Sequence, residues 1–483
     1  MSDALPPRNP RRRALTVVGV GAGLFAFFAA PLIVTYDSVH YAGFLPILRG
    51  QQGFSHWDVG RGPGFPLWLW AIEAWVGIGV GPALAVSAAC LGVSAWALRF
   101  ALRSALGARA SAAFTAVALT FAFDPTSFGY FHTLLTEYLA ATLFALGAAL
   151  AAWRLRLWST GGHGSLVVEL GAGVLAAFAY HVKQPYVAGL VAPLVFASLW
   201  ALRHTRAWRQ VAASLGVTLG VVALSLVGWK SVLPASGKAA EESRTTQALL
   251  ANNVSSTCLR ASEALFVKSD SNVQVCPSES WKTLSTANDY GLPSACSDGR
   301  LSTSEALRIC AVSLWKSPLA LTLEFSAGLA RLFSFSGESE NAVIAHKVFR
   351  VRPEEPAVFW LPPELEPGAE PYRQSQARSG LYLRAWGKLG GASRVLHGVL
   401  GVASLLLAAA SWFLALRSRA RGDVGLGLLF VTANSAAAYS LALAVLGTTL
   451  DRYQYPAFPL ALLALAVAAS SWRVRRGGVG HAP

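Results

Sequence analysis

Apolar residues run through this chain in blocks of about twenty, separated by short polar breaks. A helix rises about 1.5 Å per residue, so such a block crosses the roughly 30 Å hydrocarbon core of a bilayer. Blocks at 14–35, 81–101, 110–129, 133–153, 166–181, 186–202, 209–229, 396–416, 424–446 and 456–472 predict ten transmembrane helices. Residues 165–202 are too long for one crossing. Lys183, Gln184 and Pro185 break them, giving two short spans joined by YHVKQP. The first block exceeds the roughly 7–15 residues of a signal-peptide core and reads as an uncleaved span. The segment 64–80, GFPLWLWAIEAWVGIGV, is apolar enough to cross, yet its three tryptophans and Glu73 also suit an interfacial helix.

Composition agrees with the pattern. Of 483 residues 54% are hydrophobic and 13% charged, and the mean hydropathy is +0.46, too little charge to cover a soluble protein of this size. The net charge of +15 invites a nucleic-acid reading, but no pattern of basic and aromatic RNA-binding residues accompanies it. Its distribution is more telling. With 64–80 at the interface, the short segments on one side carry 18 arginines, against Arg49, Arg61, Lys183 and Arg452 on the other. A crossing at 64–80 would reverse every later segment and erase this asymmetry. The chain therefore reads as an all-α polytopic protein of the plasma (inner) membrane with both termini cytoplasmic. Residues 1–230 form a transmembrane portion that includes the first outer loop, 36–80. Residues 231–395 form a large extracytoplasmic loop domain, and 396–483 the C-terminal transmembrane helices and cytoplasmic tail. Within the large loop, 311–333 has enough apolar positions to lie on the membrane or pack against the spans. Cys258, Cys276, Cys296 and Cys310 all fall in that loop, which suits two disulfides with three pairings open. Zinc competes less well, because no C-x2-C pair or histidine cluster appears.

The outer side collects the candidate chemistry. Asp37 closes the first span and opens a polar stretch with His40, Tyr41, Arg49, His56, Asp58 and Arg61. A carboxylate at the membrane boundary reaches both a polar acceptor and a lipid-borne donor, which makes Asp37 the candidate general base; an exposed loop acid is the plainer reading. Glu137, near the outer end of its span, is a second candidate catalytic carboxylate. It would hold a divalent metal, orient the acceptor or tune the base, if it is not a structural bond to a neighbouring helix. Lys183, Arg61 and Arg452 suit a phosphate leaving group, with lipid-headgroup anchoring as the alternative. Tyr41, His40, Asp58 and His132 complete the set as acceptor or substrate contacts. The outward histidines permit a metal site without demanding one.

These residues, in this order, resemble the GT-C superfamily of membrane glycosyltransferases that use polyprenyl-phosphate sugars, nearest to its protein-mannosyltransferase and aminoarabinose-transferase branch. D37-S-V-H-Y41 resembles the acidic motif of the first outer loop, and R61-G-P-G-F-P66 the R-P-P-G-Y-P-like turn. T136-E137 resembles the Ser-Glu that starts a span, K183-Q-P185 a basic-Pro element, and R452-Y-Q-Y-P456 with Pro459 the RY-x-x-P signature. Two positions depart from the pattern: Ser38 replaces a frequent acidic partner, and Gly62 a common proline. The resemblance implies a GT-C-like fold of about ten helices. It also implies inverting sugar transfer from a polyprenyl-phosphate donor to a lipid, glycan or protein acceptor, with Arg452, Lys183, Arg61 and Tyr455 at the donor phosphate. A transporter or flippase is the rival class, although no internal repeat is visible and the charges sit at span ends. A scaffold displaying the cysteine-bearing loop is the third.

Overall fold

The computed structural model describes residues 43–57, 62–77, 80–107, 110–162, 164–204, 208–232, 303–333, 390–417, 423–445 and 454–477, with Tyr41, Cys258 and isolated positions in 21–32. The regular elements among them are helices. A short turn of helix α1 (Leu45–Leu48) precedes α2 (Gly64–Trp75), and Arg49 Nη2 donates to Glu73 Oε1 at 2.6 Å to tie the two. Twelve residues span about 18 Å, so α2 alone falls short of crossing a bilayer.

The bundle proper begins with α3 (Val80–Leu106), α4 (Ala110–Phe123) and the seven-residue α5 (Pro125–Phe131). The apolar block 110–129 is therefore not one helix. Pro125 disfavours helical backbone at the residue before it, and Asp124 is extended, with φ −64 and ψ 125. Its carboxylate instead caps α5 by accepting the Ser127 N–H at 2.8 Å. There follow α6 (Thr136–Ser159), α7 (Leu166–Val182), a 3-10 turn at Gln184–Val187, α8 (Ala188–His204) and α9 (Trp208–Val232). Within the segment 231–395 lie α10 (Thr303–Lys316) and α11 (Pro318–Leu332), followed by α12 (Gly390–Arg417), α13 (Val424–Val445), a 3-10 turn at Tyr455–Ala457 and α14 (Phe458–Gly477). Six of these helices are long and apolar enough to cross a membrane, and three shorter apolar helices lie at 110–122, 166–182 and 455–471. Nine of the ten predicted blocks thus fall on helices; the first, 14–35, lies largely outside the described residues.

Helices α6 and α13 form the centre: 83% and 78% of their spans are buried, against 17% for α9, whose surface is left for lipid. Helix α6 packs on α3, α8 and α13, while α12, α13 and α14 pack together and α7 lies on α9. The crossing of α6 and α8 is a backbone-to-backbone approach. A Cβ at Gly147 would overlap the Gly189 carbonyl oxygen, and one at Gly189 the Phe144 ring.

The two ends of the bundle differ. At one, Arg154 of α6, fully buried, pairs with Glu169 of α7, which also accepts from Ser214 of α9 at 2.8 Å. Arg203 donates to the carbonyls of Ala415 and Leu416, both at 3.1 Å, at the C-terminus of α12. The other end gathers the starts of α2, α6, α12 and α14 with the end of α7. Beside the bundle, Cys258 forms a disulfide with Cys310 of α10. Helix α11 lies on α13, and Phe333 seats against Gly401 of α12, so 311–333 packs in part against the spans.

Candidate functional site

The start of α6 organises this second end. Glu137 sits in its first turn, where a helix N-terminus favours negative charge, and it is 1% exposed. Thr136 Oγ1 donates to Glu137 Oε2 at 3.3 Å and lies 3.2 Å from the hydroxyl of Tyr186. Tyr186 is fully buried in the 3-10 turn that Gln184 and Pro185 impose between α7 and α8. Its ring carries the ammonium of Lys183, 5.7 Å from the ring centroid. Lys183 itself is the extended C-cap of α7, with φ −163 and ψ 127. Cation, phenol, hydroxyl and carboxylate therefore form one continuous series along three elements.

Tyr41 and Tyr455 flank that series. Tyr41 lies edge-on to Phe65 of α2, with ring centroids 4.9 Å apart. Helix α2 begins close against α7 because the G-x-G in R61-G-P-G-F-P66 has no side chains. A Cβ at Gly62 would overlap the His181 carbonyl oxygen, and one at Gly64 the backbone of Val182. Tyr455, fully buried, stacks on Tyr130 of α5 at 4.4 Å and lies within electrostatic reach of Glu137. Four of the sequence-predicted site residues, Tyr41, Glu137, Lys183 and Tyr455, thus share one end of the bundle.

His132 has a different place. It is fully buried, with Nδ1 2.7 Å from the Phe128 carbonyl oxygen and Nε2 2.8 Å from that of Phe27. Its ring also stacks on Phe128. Burial pushes its pKa down to about 4, against the upward pull of the two carbonyls. Each nitrogen faces a backbone carbonyl oxygen, to one of which the neutral ring donates, and the ring is fully buried, so His132 braces the first span against α5 and is closed off from a substrate. Asp37, His40, Asp58, Arg61, Arg452, Cys276 and Cys296 lie outside the described residues. Among the described residues no three His, Cys, Asp or Glu side chains lie together as metal ligands.

A second polar cluster at this end involves residues the sequence did not single out. Besides capping α5, Asp124 Oδ2 accepts from His397 Nε2 of α12 at 2.9 Å, and Oδ1 accepts from Ser393 Oγ. Ser393 Oγ also meets Thr126 Oγ1 at 2.7 Å. Burial pushes the Asp124 carboxyl up, but the charge of His397 and the hydrogen bonds from His397, Ser393 and Ser127 outweigh it, and the net direction is down. The signal in the sequence is weak: an Asp-Pro helix cap and an S-x-x-x-H spacing just before a span.

No family model matches the chain, and neither does any curated protein. Among solved structures it is similar to the crystal structure of ArnT from Cupriavidus metallidurans bound to undecaprenyl phosphate. The identity is 13%, the likeness covers 94% of this chain and 78% of that one, and the TM-score is 0.38. A likeness that slight says nothing about which residues act or on what.

Proposed function

We propose that this chain is an inverting glycosyltransferase that moves a sugar from a polyprenyl-phosphate donor to an acceptor hydroxyl on the extracytoplasmic face of the plasma (inner) membrane. The observation that carries the reading is the grouping of Glu137, Lys183, Tyr186 and Tyr455 at one end of an apolar helical bundle. The ordered motifs of the sequence add the remaining participants.

In this reading Asp37 takes the proton of the acceptor hydroxyl, and the oxygen attacks the anomeric carbon of the donor. The bond from that carbon to the phosphate oxygen breaks on the opposite side, and the lipid phosphate leaves with the electron pair. Negative charge grows on the phosphate, where Lys183, Arg452, Arg61 and Tyr455 stabilise it. Glu137, held at the head of α6, orients the acceptor. Placement at the membrane boundary lets a lipid-borne donor and a polar acceptor meet without either crossing the hydrocarbon.

The competing transporter reading expects ionisable groups near the bilayer midplane on broken helices; Glu137 and Lys183 are instead at helix ends. Comparing lipid-linked sugars and surface glycans in cells with and without the protein separates the two. A transferase leaves its lipid-linked donor unconsumed and one glycan modification missing when it is deleted. Loss of lipid-linked sugar from the outer leaflet alone would instead indicate a flippase.

A further inference from the structure

Helix α11 ends on a cation that nothing around it neutralises. Arg331 lies in its last turn and is half-buried. Its Nε is sealed from solvent without a hydrogen-bond partner, and no acceptor or carboxylate among the described residues meets the rest of the guanidinium. The acid of the same helix, Glu324, is seven residues back, about 10.5 Å along the axis. The partial negative charge at the C-terminus of α11 offsets only part of a full positive charge. A guanidinium drawn partly out of water without a counter-ion is costly, and beside hydrocarbon more so.

The setting is that of a membrane lipid rather than of a solvated loop. Leu319 and Leu323, four residues apart on one face of α11, are 73% and 62% exposed, and Trp315 just ahead of the helix is exposed as well. The opposite face, with Gly328 and Leu332, is buried, and α11 lies on α13. The exposed leucines therefore continue the lipid-facing surface of the bundle. At about 100° per residue Arg331 comes about 80° round the helix from Leu323, on the border between the two faces. Phe333 sets its depth by seating against Gly401 of α12. Ser393, His397 and Gly401 recur every four residues along one face of α12, and the first two hold Asp124. The end of α11 is thus about one turn along α12 from the Asp124 cluster, at the polar end of the bundle.

We propose that Arg331 is a lipid-phosphate site, at which the guanidinium donates to the terminal phosphate of a polyprenyl phosphate whose chain lies along Leu323 and Leu319. Phosphate oxygens match the guanidinium fork, and a lipid brings the anion and the apolar chain together. A terminal phosphate offers three acceptor oxygens and nearly twice the charge of the phosphodiester in a bulk phospholipid, so an uncompensated guanidinium favours it. The choice of a polyprenyl chain rests on the transferase reading, in which that lipid is the leaving product; the cation and the apolar face stand without it.

The test irradiates the full-length protein in phosphatidylcholine nanodiscs with an undecaprenyl phosphate carrying a diazirine in the isoprene unit nearest the phosphate, and maps the crosslinked peptides by mass spectrometry. In wild type a crosslink should fall within 319–333. Excess unlabelled undecaprenyl phosphate should remove it, and an equal excess of phosphatidylglycerol should not. Arg331→Gln should lower that crosslink about tenfold, with Arg331→Lys, which keeps the charge, between the two. The wild-type map provides a reading even where a variant fails to fold. Crosslinks elsewhere in the protein with none in 319–333 overturn the site and leave the transferase reading standing. An undiminished crosslink in Arg331→Gln overturns the role of the residue. Equal competition by phosphatidylglycerol overturns the polyprenyl phosphate as its occupant. Absence of any crosslink in wild type overturns both the site and the lipid-phosphate donor.

Discussion

A methyl group at Gly62 would collide with the carbonyl oxygen of His181, and one at Gly64 with the backbone of Val182. Backbone cannot step aside as a flexible side chain does, so each substitution to alanine should cost about 1–3 kcal/mol. Both should lower the thermal midpoint of the purified protein and weaken activity through displacement of α2; unchanged midpoints would contradict the close approach. His132 makes a prediction of opposite character. Its folded pKa, about 4, lies below the ordinary histidine value, so between about pH 6.5 and 4 the unfolded chain binds the extra proton. Stability from this group is complete above about pH 6.5 and is lost as the pH falls, by about 3 kcal/mol at pH 4. That component should vanish from the stability–pH curve of His132→Gln; an identical curve would remove the assignment. Glu137 and Lys183 were legible as ionisable exceptions in an apolar chain. The burial of His132 was not, because it depends on the carbonyl of Phe27, 105 residues away. The Asp124–His397 contact, across 273 residues, was equally invisible.

Between elements, the most consequential polar contact is the buried pair of Arg154 and Glu169, which joins α6 to α7 and, through Ser214, to α9. Removing one partner of such a pair typically costs about 3–5 kcal/mol, because the other charge is stranded, whereas replacing both by apolar residues is often neutral. Arg154→Met alone should therefore destabilise strongly, and Arg154→Met with Glu169→Leu should recover most of the loss in thermal unfolding. Additive losses would show that the two do not act as a pair. Cys258–Cys310 staples Cys258 to α10, while Cys276 and Cys296 lie outside the described residues. Mass spectrometry of unreduced peptides should recover the 258–310 crosslink, and recovery of Cys258 joined to Cys276 or Cys296 would refute it. Hydrophobic pattern located nine helices, since length and apolarity are local properties. It missed the break at Asp124, although Asp-Pro is a local signal, because the apolar run continues past it to Phe131.

At the scale of the whole molecule, the apolar bundle is asymmetric. One end is closed by a buried ion pair and arginine–carbonyl contacts. The other collects Glu137, Lys183, Tyr186, Tyr455 and the Asp124–His397 cluster. The proposed topology, argued from the arginine excess, puts the first end on the cytoplasmic side. A cysteine introduced at Gln184, which is exposed, should react with a membrane-impermeant maleimide added to whole cells. Labelling only after lysis would invert the topology and with it the proposed site. The central claim is lipid-linked sugar transfer with Asp37 as base. Its most direct test is single-turnover consumption of a polyprenyl-phosphate sugar by purified protein in nanodiscs, supplied with an envelope acceptor fraction. Wild type should release polyprenyl phosphate and a product of inverted anomeric configuration, while Asp37→Asn should bind the donor with near-normal affinity and release at least a hundredfold less, roughly the scale of a lost general base. Near-normal turnover by Asp37→Asn, or release of no polyprenyl phosphate by wild type, would contradict the account.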